Sequence, residues 1–233
     1  MQGSPTSSVM RRGLAAAWPI CLGYLPIGMA LGVLGQKAGV HPLAIGFMSL
    51  IVFAGSAQFI AVSMISTGMP PITIVMTTFV VNLRHLLMSS ALAIPFRGKR
   101  RSLLTLFAYG VTDESFAVNY PKLIEGNWQI EHALVVNHAA NLTWIVSTIA
   151  GGYGGQYIPE GAFGIDYALI AMFICLLIFQ LRGRIYFITA IIAGALAVGL
   201  SLLLPGNWHI ILASVLAASL GTIIKQRSGR PTT

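Results

Sequence analysis

Residues 70–95 read PPITIVMTTFVVNLRHLLMSSALAIP. Prolines bracket an apolar run long enough to cross a hydrocarbon core, which takes about 20 residues of helix. Near its middle stand Asn82, Arg84 and His85. A central arginine costs at least about 2.5 kcal/mol to insert, and such residues face a bundle interior and take a partner there. The stretch therefore predicts a spanning helix whose polar residues meet other helices, with carboxylates among them.

Further apolar segments flank it. The chain holds eight, at roughly 13–35, 42–66, 70–95, 102–118, 133–152, 166–181, 184–204 and 207–224, separated by glycine- and proline-rich turns. Of 233 residues, 56% are hydrophobic and 9% charged, against roughly 25% charged in a soluble domain. The expected fold is all-α, a polytopic transmembrane bundle of six to eight apolar segments. It comprises a polar tail at 1–12, one transmembrane domain at 13–224 and a cytoplasmic tail at 225–233. The run after Arg11 and Arg12 is too long for a signal-peptide core and is read as a retained first helix; Met10 is an alternative start. In the first segment, Gly28, Gly32 and Gly35 allow close helix approach, and Pro19 and Pro26 predict a kink or a hinge.

The net charge of +8 gathers in short clusters between apolar runs: Arg11 and Arg12, Arg97 to Arg101, Arg182 with Arg184, and Lys225 to Arg230. Basic loops of this kind mark the cytoplasmic side, and no aromatic residues interleave with a basic stripe as nucleic-acid binding requires. Eight full crossings with Lys225 inside would put the densest cluster, Arg97 to Arg101, outside. The conflict disappears if segments 42–66 and 102–118 dip into the membrane and return. Irregular backbone at depth is tolerated only beside protein or a water-filled cavity, and both segments carry polar centres, Gly55-Ser-Ala-Gln58 and Thr112-Asp-Glu-Ser115. A short internal repeat fits the re-entrant scheme. Gly55-Ser-Ala-Gln-Phe-Ile-Ala-Val62 parallels Val111-Thr-Asp-Glu-Ser-Phe-Ala-Val118, and Val-Val-Asn follows each, ending at Asn82 and Asn137. Two such copies in opposite orientation make an inverted repeat, a common build in secondary transporters. Both topologies stay open on the sequence.

The residues expected to line a substrate or proton pathway are Ser56, Gln58, Asn82, Arg84, His85, Asp113, Glu114, Asn137, His138 and Asn141. Asn82 and His85, three apart, share a helix face, and Arg84 points elsewhere. Its partner is expected to be Asp113 or Glu114, which are adjacent and diverge on a helix. Burial disfavours a charged acid unless a cation stands beside it, so either carboxylate is a candidate proton carrier. His85, of the type that titrates near neutrality, is another. Asn137 and Asn141 share a face and suit interhelical hydrogen bonds. Phe59 and Phe116 are candidate apolar walls. Neither metal-ligand spacing, a nucleotide loop nor a GxSxG elbow occurs, so no enzyme, metal or cofactor is expected.

The chain resembles the AzlC family, the large subunit of branched-chain amino acid exporters. The resemblance rests on PICLGYLPIGMALG at 19–32, FAGSAQF at 53–59, NLRHLLMSS at 82–90 and TDESFA at 112–117, and it spans most of residues 10–225. It implies a permease of the bacterial inner membrane that exports leucine, isoleucine, valine or similar amino acids on the proton gradient. It also implies a small membrane partner of the AzlD type. A non-transporting scaffold or accessory subunit, or a channel for small solutes, are the alternatives; polar residues at four separate places in the apolar runs weigh against a scaffold.

Overall fold

A computed structural model describes residues 5–157, 167, 174, 177–178, 181, 183–203 and 208–227. The chain falls into two compact parts, 1–169 and 170–233. Among the described residues the first part holds α1 (Pro5–Lys37), α2 (Pro42–Val52), α3 (Gly55–Ser66), α4 (Pro71–Ala93), α5 (Arg101–Tyr109), α6 (Asp113–Ile124) and α7 (Ile130–Gly154). The second holds α8 (Arg184–Ser201) and α9 (Trp208–Arg227), which pack together with Gly221 against Thr189. The expected segment 166–181 and the 153–165 loop lie mostly outside the described residues. Helices α1, α4, α7 and α8 are long and apolar enough to cross a membrane.

The core of the first part is the pair α1 and α7, which run parallel in close register. Val135 fills the space a side chain on Gly13 would need, Ser147 fills that of Gly28, and the Thr148 carbonyl with Gly152 fills that of Gly32. Gly151 in turn lies on the Met29 backbone. Without a hydrophobic drive between helices in lipid, such small-residue contacts supply the packing. α1 continues as one helix through Pro19 and Pro26.

Segments 42–66 and 102–118 are each broken at the centre. The first breaks at Phe53, whose φ of 36° lies in the left-handed region. The second breaks at Gly110 to Thr112 and continues to Ile124, beyond the expected end at 118. Both breaks are reversals of direction. Gln58 Nε2 donates to Ser49 Oγ at 3.0 Å across the first break, where a straight helix would separate the two residues by about 13 Å. The Asn137 amide accepts from Asn119 Nδ2 at 3.0 Å and donates to the Phe107 carbonyl at 3.1 Å. A straight helix would put those two partners about 18 Å apart, farther than one side chain spans.

The hairpins enter from opposite faces. α2 starts beside the end of α7, with Pro42 against Gly152 and Gly46 against Ile149, and its successor α3 begins with Gly55 against Trp144. α5 comes from the other face: Leu106 shares a groove with Met10 and Leu14 at the start of α1 and with Leu134 and Val135 near the start of α7. The end of α4, from Ser89 to Ala93, lines a second groove with α5, so α4 finishes on the face where α1 begins and must start on the opposite one. α3 therefore returns to the face that α2 left. Residues 42–93 and 101–154 are thus two copies of one plan, a re-entrant hairpin followed by a long helix, inserted in opposite senses. This arrangement gathers Arg11, Arg12 and Arg97 to Arg101 on one face, as the charge pattern demands.

Candidate functional site

The two return helices, α3 and α6, are 12 residues each, and the repeated motifs open them. Their N-termini meet the middle of α4. Arg84 Nη1 lies 2.5 Å from Asp113 Oδ2, with 29% and 27% of the two side chains exposed. Arg84 Nη2 also donates to the Ser56 hydroxyl at the start of α3. One arginine thus joins the tips of both hairpins. α6 is capped by its own residues: Thr112 Oγ1 accepts from Ser115 N–H at 3.2 Å, and Ser115 Oγ accepts from Thr112 N–H at 2.8 Å. α3 has no side-chain cap, which leaves its first N–H groups to favour an anion.

Asp113 and Glu114 diverge as adjacent helical residues must. Glu114 turns toward α1, where Tyr24 Oη stands 2.7 Å from Glu114 Oε2 and 3.0 Å from Thr112 Oγ1. Tyr24 is buried, with its ring edge-on to Trp144 at 5.0 Å and to Phe53 at 6.4 Å. Its carbonyl accepts from Ser147 Oγ at 3.3 Å.

Beside this junction lie two polar networks. In one, Gln58 Oε1 accepts from Trp144 Nε1 at 2.8 Å while its amide donates to Ser49, which is hydrogen-bonded to Thr148 at 2.9 Å. All four are buried, so Gln58 pins the first hairpin to α7. The other is built on Asn137 and Asn119, the latter accepting from Trp128 Nε1 at 3.0 Å, and it pins the second hairpin to α7. Tyr109, at the tip of α5, donates to the Leu50 carbonyl at the end of α2 and lies 3.4 Å from Asn141 Oδ1, joining the hairpins to each other.

Of the ten residues expected in a pathway, Ser56, Arg84, Asp113 and Glu114 come together at the hairpin tips. Gln58 and Asn137 sit in the adjoining networks. Asn82 Oδ1, Arg84 Nε and Asn141 Nδ2 are buried without a hydrogen-bond partner. His85 stays on α4, its Nδ1 3.2 Å from the Asn82 carbonyl. His138 stands apart: it is exposed, lies in the groove with Met10 and Leu106, and bonds the Leu134 carbonyl of its own helix at 2.8 Å. Phe59 is sealed in the core and Phe116 stacks on Tyr120 at 5.0 Å. Sequence reasoning missed Tyr24, Ser49, Tyr109, Asn119 and Trp144 as site or network members. The one available signal for Tyr24 was its place as the hydroxyl-bearing residue in the 19–32 stretch. No group of three or more His, Cys, Asp or Glu residues that could hold a metal occurs among the described residues.

A polytopic membrane protein, helical among the described residues, with opposed re-entrant hairpins whose tips both meet one arginine of α4, is the class that this geometry defines. Residues 19–158 match the family model described as AzlC protein, and the chain belongs to that family. It is 29% identical over 212 residues to the branched-chain amino acid transport protein AzlC of Bacillus subtilis (strain 168), covering 89% of this chain and 82% of the relative. It is also 29% identical over 205 residues to the inner membrane protein YgaZ of Escherichia coli (strain K12), covering 84% and 83%. An uncharacterized membrane protein of Archaeoglobus fulgidus is 26% identical over 206 residues, covering 87% and 90%. No solved structure matches the chain.

Proposed function

We propose that this chain is the large permease subunit of a secondary transporter that exports branched-chain amino acids, couples export to the proton gradient, and works with a small membrane subunit in a bacterial inner membrane. The observation that carries the reading is the Arg84–Asp113 pair at the point where the two hairpin tips converge. A zwitterionic amino acid presents one anion and one cation a short distance apart, and it can take over both halves of that pair. Its carboxylate replaces Asp113 at the Arg84 guanidinium, beside the Ser56 hydroxyl and the uncapped start of α3, where charge-assisted donors converge. Its ammonium meets the released Asp113. Exchange of one satisfied arrangement for another avoids stranding a charge at depth, which lipid would penalise. Support for the branched-chain class comes from the likeness to the Bacillus branched-chain amino acid transport protein.

The test is efflux of radiolabelled leucine from preloaded cells expressing this chain alone and with a small AzlD-type partner. The reading expects efflux with the partner present, its collapse on adding a protonophore, and its loss in Arg84→Gln. Absence of efflux for leucine, isoleucine and valine in both settings, with the protein present in the membrane, would overturn it and leave the scaffold.

A further inference from the structure

Two carboxylates sit side by side at the start of α6, yet their surroundings differ in kind. Asp113 faces a permanent cation, Arg84, at 2.5 Å. Protonating it would strand the guanidinium, so Asp113 belongs to charge pairing. The hydrogen-bond partner of Glu114 is a neutral hydroxyl, Tyr24 Oη at 2.7 Å. That hydroxyl has a second neighbour, Thr112 Oγ1, at 3.0 Å.

The three oxygens form a chain that gives the Tyr24 hydroxyl an acceptor in either protonation state of Glu114. With Glu114 ionised, Tyr24 O–H donates to Glu114 Oε2 and Thr112 O–H donates to Tyr24 Oη. With Glu114 protonated, its own O–H donates to Tyr24 Oη, and the Tyr24 proton turns to Thr112 Oγ1. Thr112 Oγ1 also accepts from Ser115 N–H, so with Glu114 protonated both acceptor positions of Thr112 Oγ1 are filled and its own O–H no longer serves Tyr24. Only hydrogens move. The Tyr24 ring is held in place by Trp144 and Phe53, so the relay does not depend on a rotamer change.

We infer that Glu114 is the proton-carrying group of this protein, that Tyr24 is its reversible hydrogen-bond partner, and that Asp113 is reserved for the ion pair with Arg84. This rests on the transporter reading for its purpose, though not for its geometry. The charged and titratable groups around Glu114 are Tyr24 from α1, Asp113 on its own helix, and Arg84 and His85 from α4, with both carboxylates in electrostatic reach of His85. From α7 the neighbours of Tyr24 are Trp144 and Ser147, which do not titrate here. The proton and the zwitterion thereby use adjacent residues that point about 100° apart around α6. Loading one changes the charge next to the other.

The chain has only six Asp and Glu residues, which makes a direct spectroscopic test practical. Purified full-length protein in lipid is titrated while its infrared difference spectrum is recorded in the protonated-carboxyl stretching region. A titrating band is expected that disappears in Glu114→Gln, survives in Asp113→Asn, and shifts in frequency in Tyr24→Phe. Should Asp113→Asn fail to fold for want of a partner to Arg84, the double variant Asp113→Asn with Arg84→Gln takes its place. Retention of the whole band in Glu114→Gln, or its loss on removing Asp113, would overturn the assignment, as would the absence of any titrating band. Because no substrate enters the measurement, a failure of leucine efflux and a failure of this assignment are separable.

Discussion

Arg84 of α4 and Asp113 of α6 form an ion pair across the boundary between the two repeats, 2.5 Å from Nη1 to Oδ2. The helix that carries Arg84 completes the first copy, and the helix that carries Asp113 is the return limb of the second. Any motion of the second hairpin against α4 must stretch or break this pair. With Ser56 also bonded to Arg84, the arginine is the residue most exposed to such a motion and the one a ligand at the hairpin tips would meet.

Breaking that pair from one side should be worse than removing it whole. Arg84→Ala leaves a partly buried carboxylate unpaired, and the expected loss is roughly 2–3 kcal/mol, below the roughly 3–5 of a fully buried pair. Arg84→Ala with Asp113→Ala should recover at least half of it, a coupling that a double-mutant cycle on thermal unfolding in detergent would read. Additive losses would show that the pair carries no stability.

The glycines of α1 should separate sharply into two groups. Gly32→Ala drives a methyl into the Thr148 carbonyl and Gly152, and parting α1 from α7 should cost about 1–3 kcal/mol. Gly23 has nothing within 4 Å of where its Cβ would lie, so Gly23→Ala should be neutral or stabilise by up to about 1 kcal/mol through helix propensity. Fluorescence-detected size-exclusion after heating would rank the two variants.

Phe53 offers a less usual comparison. Its ring is buried against Tyr24 and Tyr109 while its backbone sits at a φ of 36°. Phe53→Ala should lose about 3–5 kcal/mol of packing. Phe53→Gly loses the same ring but removes left-handed strain of about 1–2 kcal/mol, so the glycine variant should melt higher than the alanine one. The reverse order would mean that the left-handed backbone at position 53 carries no strain.

Gln58→Leu should destabilise by about 1–3 kcal/mol, the penalty for leaving the Trp144 indole N–H without an acceptor in the core. Gln58→Glu restores the acceptor but buries a charge and should be worse than leucine. Melting temperatures in one detergent provide the comparison.

Much of this architecture can be read from the residues alone. Apolar runs must match bilayer thickness, so α4 and α7 fall close to the expected segments, while α1 begins at Pro5, inside the tail expected at 1–12. Arg84 announces a partner because lipid forbids an isolated cation. The paired polar motifs mark both hairpin tips, since nothing else in a span tolerates broken backbone. The sense of the hairpins was ambiguous for a physical reason: a helix that turns back and a helix that continues bury the same residue types, and the deciding contacts, Asn137 to Phe107 and Asn119, join residues distant in sequence. Pro121 reads as a stop, but it falls in the last turn of α6, which ends at Ile124. Tyr24 went unnoticed because one hydroxyl in an apolar run is ordinary until its partner is known. His138 shares the residue type of a pathway group, yet its helix turns it outward.

The opposed insertion of the two hairpins underlies the whole account, and sided cysteine labelling tests it most directly. With Cys21 and Cys175 replaced by alanine, single cysteines at His41, Met69, Lys99 and Glu125 would be probed with an impermeant maleimide from each side of oriented membranes. The fold predicts that positions 41 and 69 label from one side and positions 99 and 125 from the other, because each hairpin leaves and returns on one face. Labelling of 41 and 99 from one side and of 69 and 125 from the other would mean that both broken helices cross the membrane and would contradict the shared site at their tips.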